Sequence, residues 1–284
     1  MHTPSHPSLP SLALKLLAAA GAAAVLTGCQ AFDNWGSNSG RGDEPEVRTV
    51  QITPSNIGRE PAVGAGAPTG VDSVSRGQML ERQGLYQQAL AEFEKAIANN
   101  PRLTTAYMGA GDIYRRQGDY VKAEQRYGQA ARLEPFNFDA QYLHGLTLQL
   151  LDRLSEAVVA YLKALQIQPE DLNANLNLAT AYLQLGEPRQ ALPYAEKAVR
   201  IDGRNAPART NLGAIYSALG RHEDAVVEYQ QAAELTPLTG PLLLNLADSL
   251  GKTGRYEEMV NTLQQLIRTE PTANAYERLG SGLF

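Results

Sequence analysis

Cysteine is almost missing from this sequence: 284 residues hold a single one, Cys29. That excludes an intramolecular disulfide framework and any metal site built from several thiolates. Histidine is nearly as scarce. His2 and His6 lie at the extreme N-terminus, and His144 and His222 have no second ligand or triad partner at the spacing that metal or nucleophile chemistry needs. No HExxH, phosphate-loop or GxGxxG pattern occurs. Positive charge is also short, with Lys and Arg numbering 25 against 30 Asp and Glu, for a net charge of −5. Such a chain has no electrostatic footprint for nucleic acid. Aromatics make up only 7% of the residues. The apolar run Leu16–Leu26 covers eleven residues, well short of the roughly 20 that a bilayer-spanning helix needs. These gaps leave no catalytic residues, cofactor, metal or small-molecule substrate to expect. What is present is 43% hydrophobic residues and 19% charged, enough apolar material for a sizeable core. Ala, Leu, Gln and Glu abound, which favours helix.

The first residues read as an address. Lys15 leads into the short apolar run, whose length suits a signal-peptide core rather than an anchor. Leu26-Thr27-Gly28-Cys29 follows at once and resembles the bacterial lipobox. The resemblance implies cleavage before Cys29 and a lipid on that cysteine, so residues 1–28 are expected to be a signal peptide. Gln30 rather than Asp in the next place implies, by the sorting habit of such lipoproteins, the outer membrane of the cell envelope, facing the periplasm. Residues 30–69 are rich in Gly, Pro, Ser, Asn and charged residues without apolar periodicity. Residues 29–69 therefore read as a lipidated flexible linker. Forty such residues give a reach of roughly 35 Å, enough to hold a folded part off the membrane.

From residue 70 the chain repeats every 34 residues. Counted from there, column 8 is Gly77, Gly111, Gly145, Ala179, Gly213 and Ala247. Column 20 is Ala89, Ala123, Ala157, Ala191, Ala225 and Met259, and column 27 is Ala in five copies with Leu266 in the sixth. Column 11 is Leu80, Tyr114, Leu148, Tyr182, Tyr216 and Leu250. Column 24 is Phe93, Tyr127, Tyr161, Ala195, Tyr229 and Leu263. Column 15 is Gly except for Asp152, and column 32 is Pro except for Gly203. Tiny side chains let two helices approach, bulky ones fill the space beside them, Gly suits a helix C-terminus and Pro stops the second helix.

This pattern resembles the tetratricopeptide repeat in six uninterrupted copies, at 70–103, 104–137, 138–171, 172–205, 206–239 and 240–273. The resemblance implies an all-α fold, a right-handed α-solenoid of six tandem helix-turn-helix repeats. Residues 274–284 begin a partial seventh helix or cap; the alternatives are a truncated reading frame or a partner docked by the terminal Leu283 and Phe284. Repeat 4 carries Pro188, Pro193, Ala195 and Gly203, which predicts the least regular unit, with its second helix bent or shifted.

By helical periodicity, columns 2, 5, 6, 9, 12 and 13 of each first helix point away from the packing columns and line a groove. Column 6 of repeats 4–6 is Asn177, Asn211 and Asn245, an asparagine ladder with Asn173 nearby. Side-chain amides donate and accept, so they suit the backbone of an extended peptide. Tyr142, Leu146 and Leu176 supply a greasy wall. The Lys and Asn pattern of a carboxylate clamp is missing from column 5, which holds Val74, Met108, Tyr142, Leu176, Thr210 and Leu244. The expected function is that of a membrane-tethered scaffold or adaptor for protein or peptide segments, which resembles lipoproteins of pilus and secretion assembly and adaptors of envelope proteases. The alternative is a structural assembly subunit that uses its convex or end surfaces.

Overall fold

A glycine in the left-handed region ends five of the six first helices, and that device sets the beat of the whole structure. Gly118, at φ 76°, donates its N–H to Arg115 O at 3.0 Å, while Asp119 N–H reaches back to Tyr114 O at 2.9 Å. The paired bonds satisfy the last carbonyls of the helix and turn the chain. Repeat 3 makes the same turn with Asp152 at φ 58°, the one non-glycine residue with positive φ among the described residues.

The computed structural model describes residues 70–236, 239–269, 271 and 273–282. The signal segment, Cys29, the linker, Leu283 and Phe284 lie outside them. Among the described residues there are thirteen helices and no strand. They are α1 (Gly70–Arg82), α2 (Tyr86–Asn99), α3 (Thr104–Arg116), α4 (Tyr120–Leu133), α5 (Phe138–Leu150), α6 (Leu154–Ile167), α7 (Leu172–Gln184), α8 (Pro188–Ile201), α9 (Ala206–Ala218), α10 (His222–Leu235), α11 (Gly240–Lys252), α12 (Tyr256–Thr269) and α13 (Ala273–Gly282). Each hairpin from α1–α2 to α11–α12 pairs a 13-residue helix with one of 14. Both helices recur at intervals of 34 residues. Asn137, Asp171 and Asn205, at column 34, cap α5, α7 and α9 by accepting the N–H of Ala140, Ala174 and Ala208 at 3.0, 2.7 and 2.9 Å.

Packing follows the size code. Column 20 and column 27 alanines have no exposed surface in the first five repeats. Each column 24 ring lies against the column 8 glycine of its own hairpin: a Cβ added to Gly77 would stand 2.7 Å from Phe93, and one on Gly145 2.9 Å from Tyr161. Where column 24 is small or aliphatic, as at Ala195 and Leu263, column 8 is alanine instead (Ala179 and Ala247). Buried clusters then run from hairpin to hairpin along the stack. Successive first helices also touch, α1 with α3, α5 with α7, α7 with α9 and α9 with α11, whereas among the described residues no successive second helices approach to the same degree. The first helices therefore form the inner wall of the solenoid.

In repeat 4 the second helix is not shifted. α8 starts in step at Pro188 and runs 14 residues like its counterparts, with Pro193 inside it. Pro188 takes the first helical position, where no N–H bond is lost. The bond missing at Pro193 frees the carbonyl of Arg189, an exposed residue of the first turn that water can serve. The aromatic absent from column 24 is supplied one place earlier, by Tyr194 stacked on Tyr182 with centroids 5.9 Å apart and planes at 18°.

At the far end α13 packs on α12 and begins at Ala273, one residue ahead of the 34-residue step. Ala275 thereby takes the buried third column that Ala106, Ala140, Ala174 and Ala208 occupy in other repeats, and is fully buried.

Candidate functional site: the inner wall

The inner wall is built from one face of each first helix. Asn173, Asn177, Asn211 and Asn245 are all half-buried on it, but the ladder is tied sideways. Asn177 Nδ2 donates to the Tyr142 hydroxyl of the preceding repeat at 3.0 Å. Asn211 Nδ2 donates to Thr180 Oγ1 of the preceding repeat at 2.5 Å, and Thr180 donates in turn to the carbonyl of Leu176 at 2.8 Å. Asn177 and Asn211 are thus each oriented by a neighbour, with one of the two N–H groups spent. Asn211 Oδ1 is sealed from solvent and has no partner among the described residues.

The greasy part of the wall is mostly core. Tyr142 is 3% exposed and Leu146 8%, so neither lines an open groove; only Leu176 stays half-buried. The reason at Tyr142 is the close approach of α5 and α7, which places its ring between them rather than in front of them. Tyr142 stacks on Phe138 at 5.7 Å with planes at 6°, leans on Tyr161 at 6.0 Å and gives its hydroxyl to Asn177. Column 12 behaves likewise in repeat 3, where buried Gln149 donates to Gln184 at 2.8 Å.

Towards the N-terminal end the wall turns ionic. Asp112 accepts from the Tyr127 hydroxyl at 2.7 Å. Burial pushes the Asp112 carboxyl above the usual carboxylate range, against the lowering effect of that hydrogen bond and of Arg115. Glu81 is raised too, first by burial and then by the Asp112 charge. Burial also lifts the Tyr127 hydroxyl well above the ordinary range, which keeps it a neutral donor.

The two downstream histidines serve the stack. His144 sits between α4 and α5 with Nε2 3.1 Å from Glu124 Oε1, and Arg153 Nη1 lies 3.4 Å from the other oxygen of Glu124. His222 opens α10, its Nδ1 buried. Spacing rules aimed at metal or triad chemistry missed the Glu124–His144 pair, because its members are in different repeats. The columns gave the signal: columns 21 and 7, apolar at the later junctions (Val158 and Leu178, Leu192 and Leu212, Val226 and Leu246), both turn polar at this one.

Comparison with known proteins points one way. Tetratricopeptide repeat models match residues 75–131 and 176–238, and again 242–273, and a TPR repeat model matches 151–186. Superkiller protein 3 of Schizosaccharomyces pombe is 26% identical over 102 residues, which are 36% of this chain and 7% of that protein. The inactive TPR repeat-containing thioredoxin TTL3 of Arabidopsis thaliana is 38% identical over 80 residues, 28% of this chain and 11% of its own length. The chain thus spans only a small part of the curated relatives that it matches. Among solved structures, Pseudomonas aeruginosa pilF superposes with a TM-score of 0.62 at 20% identity, over 75% of this chain and 96% of that one. PilW, described as a widely conserved type IV pilus biogenesis factor, gives 0.59 at 22%, over 76% and 98%. YrrB, described as a TPR protein with an unusual peptide-binding site, gives 0.59 at 22%, over 68% and 98%.

Proposed function

Starting from the fact that this chain belongs to the tetratricopeptide repeat family, we propose that it is a membrane-tethered scaffold that holds extended segments of other envelope proteins against its inner wall. The observation that carries the reading is the oriented amide ladder. Asn177 and Asn211 are each pinned by one N–H to the preceding repeat, so the remaining N–H of the half-buried Asn177 amide faces a ligand in a preset direction. A preorganised donor binds without the ordering cost that a mobile side chain incurs. The structural likeness to pilF and PilW supports placing the scaffold in the assembly of pilus or secretion machinery, and the peptide-binding site of YrrB supports a peptide as the ligand class. A lipid on Cys29 supplies the tether, several acyl chains giving firm attachment at about 0.8 kcal/mol per buried CH₂. Such a protein has no catalytic role of its own.

A second reading, assembly through the convex side, has one observation behind it. Val159 and Val227 occupy the same column of α6 and α10 and are 52% and 49% exposed, with exposed Pro193 between them on α8. Replacing Asn177, Asn211 and Asn245 together by Ala separates the two readings. Inner-wall binding predicts that the partners recovered with the wild-type protein from its native cell are lost. Unchanged recovery removes the inner wall from the account. Cys29→Ser tests the tether, because it is expected to move the protein from the membrane fraction to the soluble one.

A further inference from the structure

Column 24 carries tyrosine in repeats 2, 3 and 5, and the rings of repeats 2 and 5 occupy nearly the same place. A Cβ on Gly111 would stand 2.7, 2.9 and 3.1 Å from Cε1, Cδ1 and Cζ of Tyr127, and one on Gly213 would stand 2.7, 2.8 and 3.1 Å from the same atoms of Tyr229. Rings so matched carry their hydroxyls to the same point behind the first helix, at its groove-facing columns. In repeat 2 that hydroxyl donates to Asp112, column 9, at 2.7 Å. In repeat 3 Tyr161 donates to Gln149, column 12, at 2.9 Å. Repeat 5 has Ala214 and Ser217 in those columns. Tyr229 is 1% exposed and has no hydrogen-bond partner among the described residues. Its oxygen is also not one of the sealed polar atoms that lack a partner, so it keeps a little contact with solvent, and the match to the Tyr127 ring puts it beside Ala214. A nearly buried donor without an acceptor is a cost that folds tolerate where something else completes the bond.

We propose that the Tyr229 hydroxyl, framed by Ala214 and Ser217, is a subsite of the inner wall that takes a backbone carbonyl of an extended peptide. The inference rests on the groove reading above and gives it a place and a polarity. The ligand is uncharged: Thr210, Asn211, Ala214, Ser217 and Ala218, the wall residues of this repeat, bear no charge. Burial pushes the Tyr229 hydroxyl far above its ordinary range, so it acts as a neutral donor and never as phenolate. Asp112 and Gln149 plug the equivalent points of repeats 2 and 3, which makes repeat 5 the open one.

The test is fluorescence anisotropy with the full chain and a pool of fluorescein-labelled, amidated nonapeptides of Gly, Ala, Ser, Thr and Val, beside thermal melting of each variant. Tyr229→Phe is expected to weaken binding about three- to tenfold, the worth of one hydrogen bond, without lowering the melting temperature. Tyr127→Phe, which loses the Asp112 bond, is expected to do the reverse. Ala214→Asp supplies the acceptor that repeat 2 has, and is expected to raise the melting temperature and abolish binding. Equal affinity of the wild type and Tyr229→Phe overturns the subsite and leaves the groove reading standing. A melting loss in Tyr229→Phe equal to that of Tyr127→Phe overturns it too, since the hydroxyl then has an internal partner. No binding of the pool by the wild type removes the groove reading and the subsite with it.

Discussion

Gly111 and Tyr127 are fitted to each other: the Cβ that the glycine lacks would lie 2.7 Å from Cε1 of the ring, closer than carbon atoms pack, and the ring itself has no exposed surface. The same fit recurs in four of the six hairpins, and the remaining two replace both members together, by Ala179 with Ala195 and Ala247 with Leu263. One sequence thus contains its own record of a size exchange between columns 8 and 24.

The first prediction follows from that exchange. Gly111→Ala is expected to destabilise repeat 2 by about 1–3 kcal/mol through overpacking, and Tyr127→Ala by about 3–5 kcal/mol through the cavity it leaves. The double variant, which copies repeat 4, is expected to cost less than the two together. Denaturant unfolding of all four proteins in one double-mutant cycle measures the coupling; a sum of single effects would show that the two sites are independent.

The helix-ending turns give a second prediction. The Cβ position of Gly118 is open space, so Gly118→Ala is opposed by backbone conformation alone. The expected loss is about 1–2 kcal/mol, the cost of a left-handed residue. Asp152→Gly in repeat 3 relieves the same strain and is expected to raise stability by a fraction of that amount. Thermal melts of the two variants in parallel provide the check.

The third concerns pH. Burial holds the His144 pKa below its ordinary value despite the Glu124 carboxylate beside it, with Arg132 and Arg153 adding to the depression. A depressed folded-state pKa means that the neutral imidazole contributes stability above the unfolded value of about 6.5, and that this contribution is lost as pH falls through the folded value. Stability is therefore expected to drop as pH falls below about 6.5. The double variant Glu124→Val, His144→Leu, which installs the pair of residue types found at later junctions, is expected to flatten that limb. Urea unfolding across the range reads it directly. The raised carboxyls of Asp112 and Glu81 act in the opposite sense.

How far the sequence can be read is decided by which interactions repeat. Columns 8, 20, 24 and 27 each describe contacts made in nearly every hairpin and column 15 a turn made in all six, so the beat, the helix pairs and the buried alanines are all legible before any coordinates. Single events are not. Periodicity assigns Tyr142 and Leu146 to the groove face because it treats each helix as isolated. The approach of α7 to α5 then covers Tyr142 and engages its hydroxyl with Asn177. Pro193 reads as a disruption, but whether a missing hydrogen bond matters depends on which carbonyl it frees, and that carbonyl lies in an exposed turn. The ladder itself is visible as Asn177, Asn211 and Asn245, whereas the direction its amides face is set by Tyr142 and Thr180 one repeat away.

The inner wall as the binding surface is tested most directly by photo-crosslinking in the native cell. Benzoylphenylalanine is placed once at Asn177 on the inner wall and once at Val159 on the convex side, and the adducts are identified by mass spectrometry. Inner-wall binding predicts protein adducts from position 177, reduced by Asn211→Ala in the same chain, with position 159 forming none above background. Adducts that form at 159 and not at 177 contradict it.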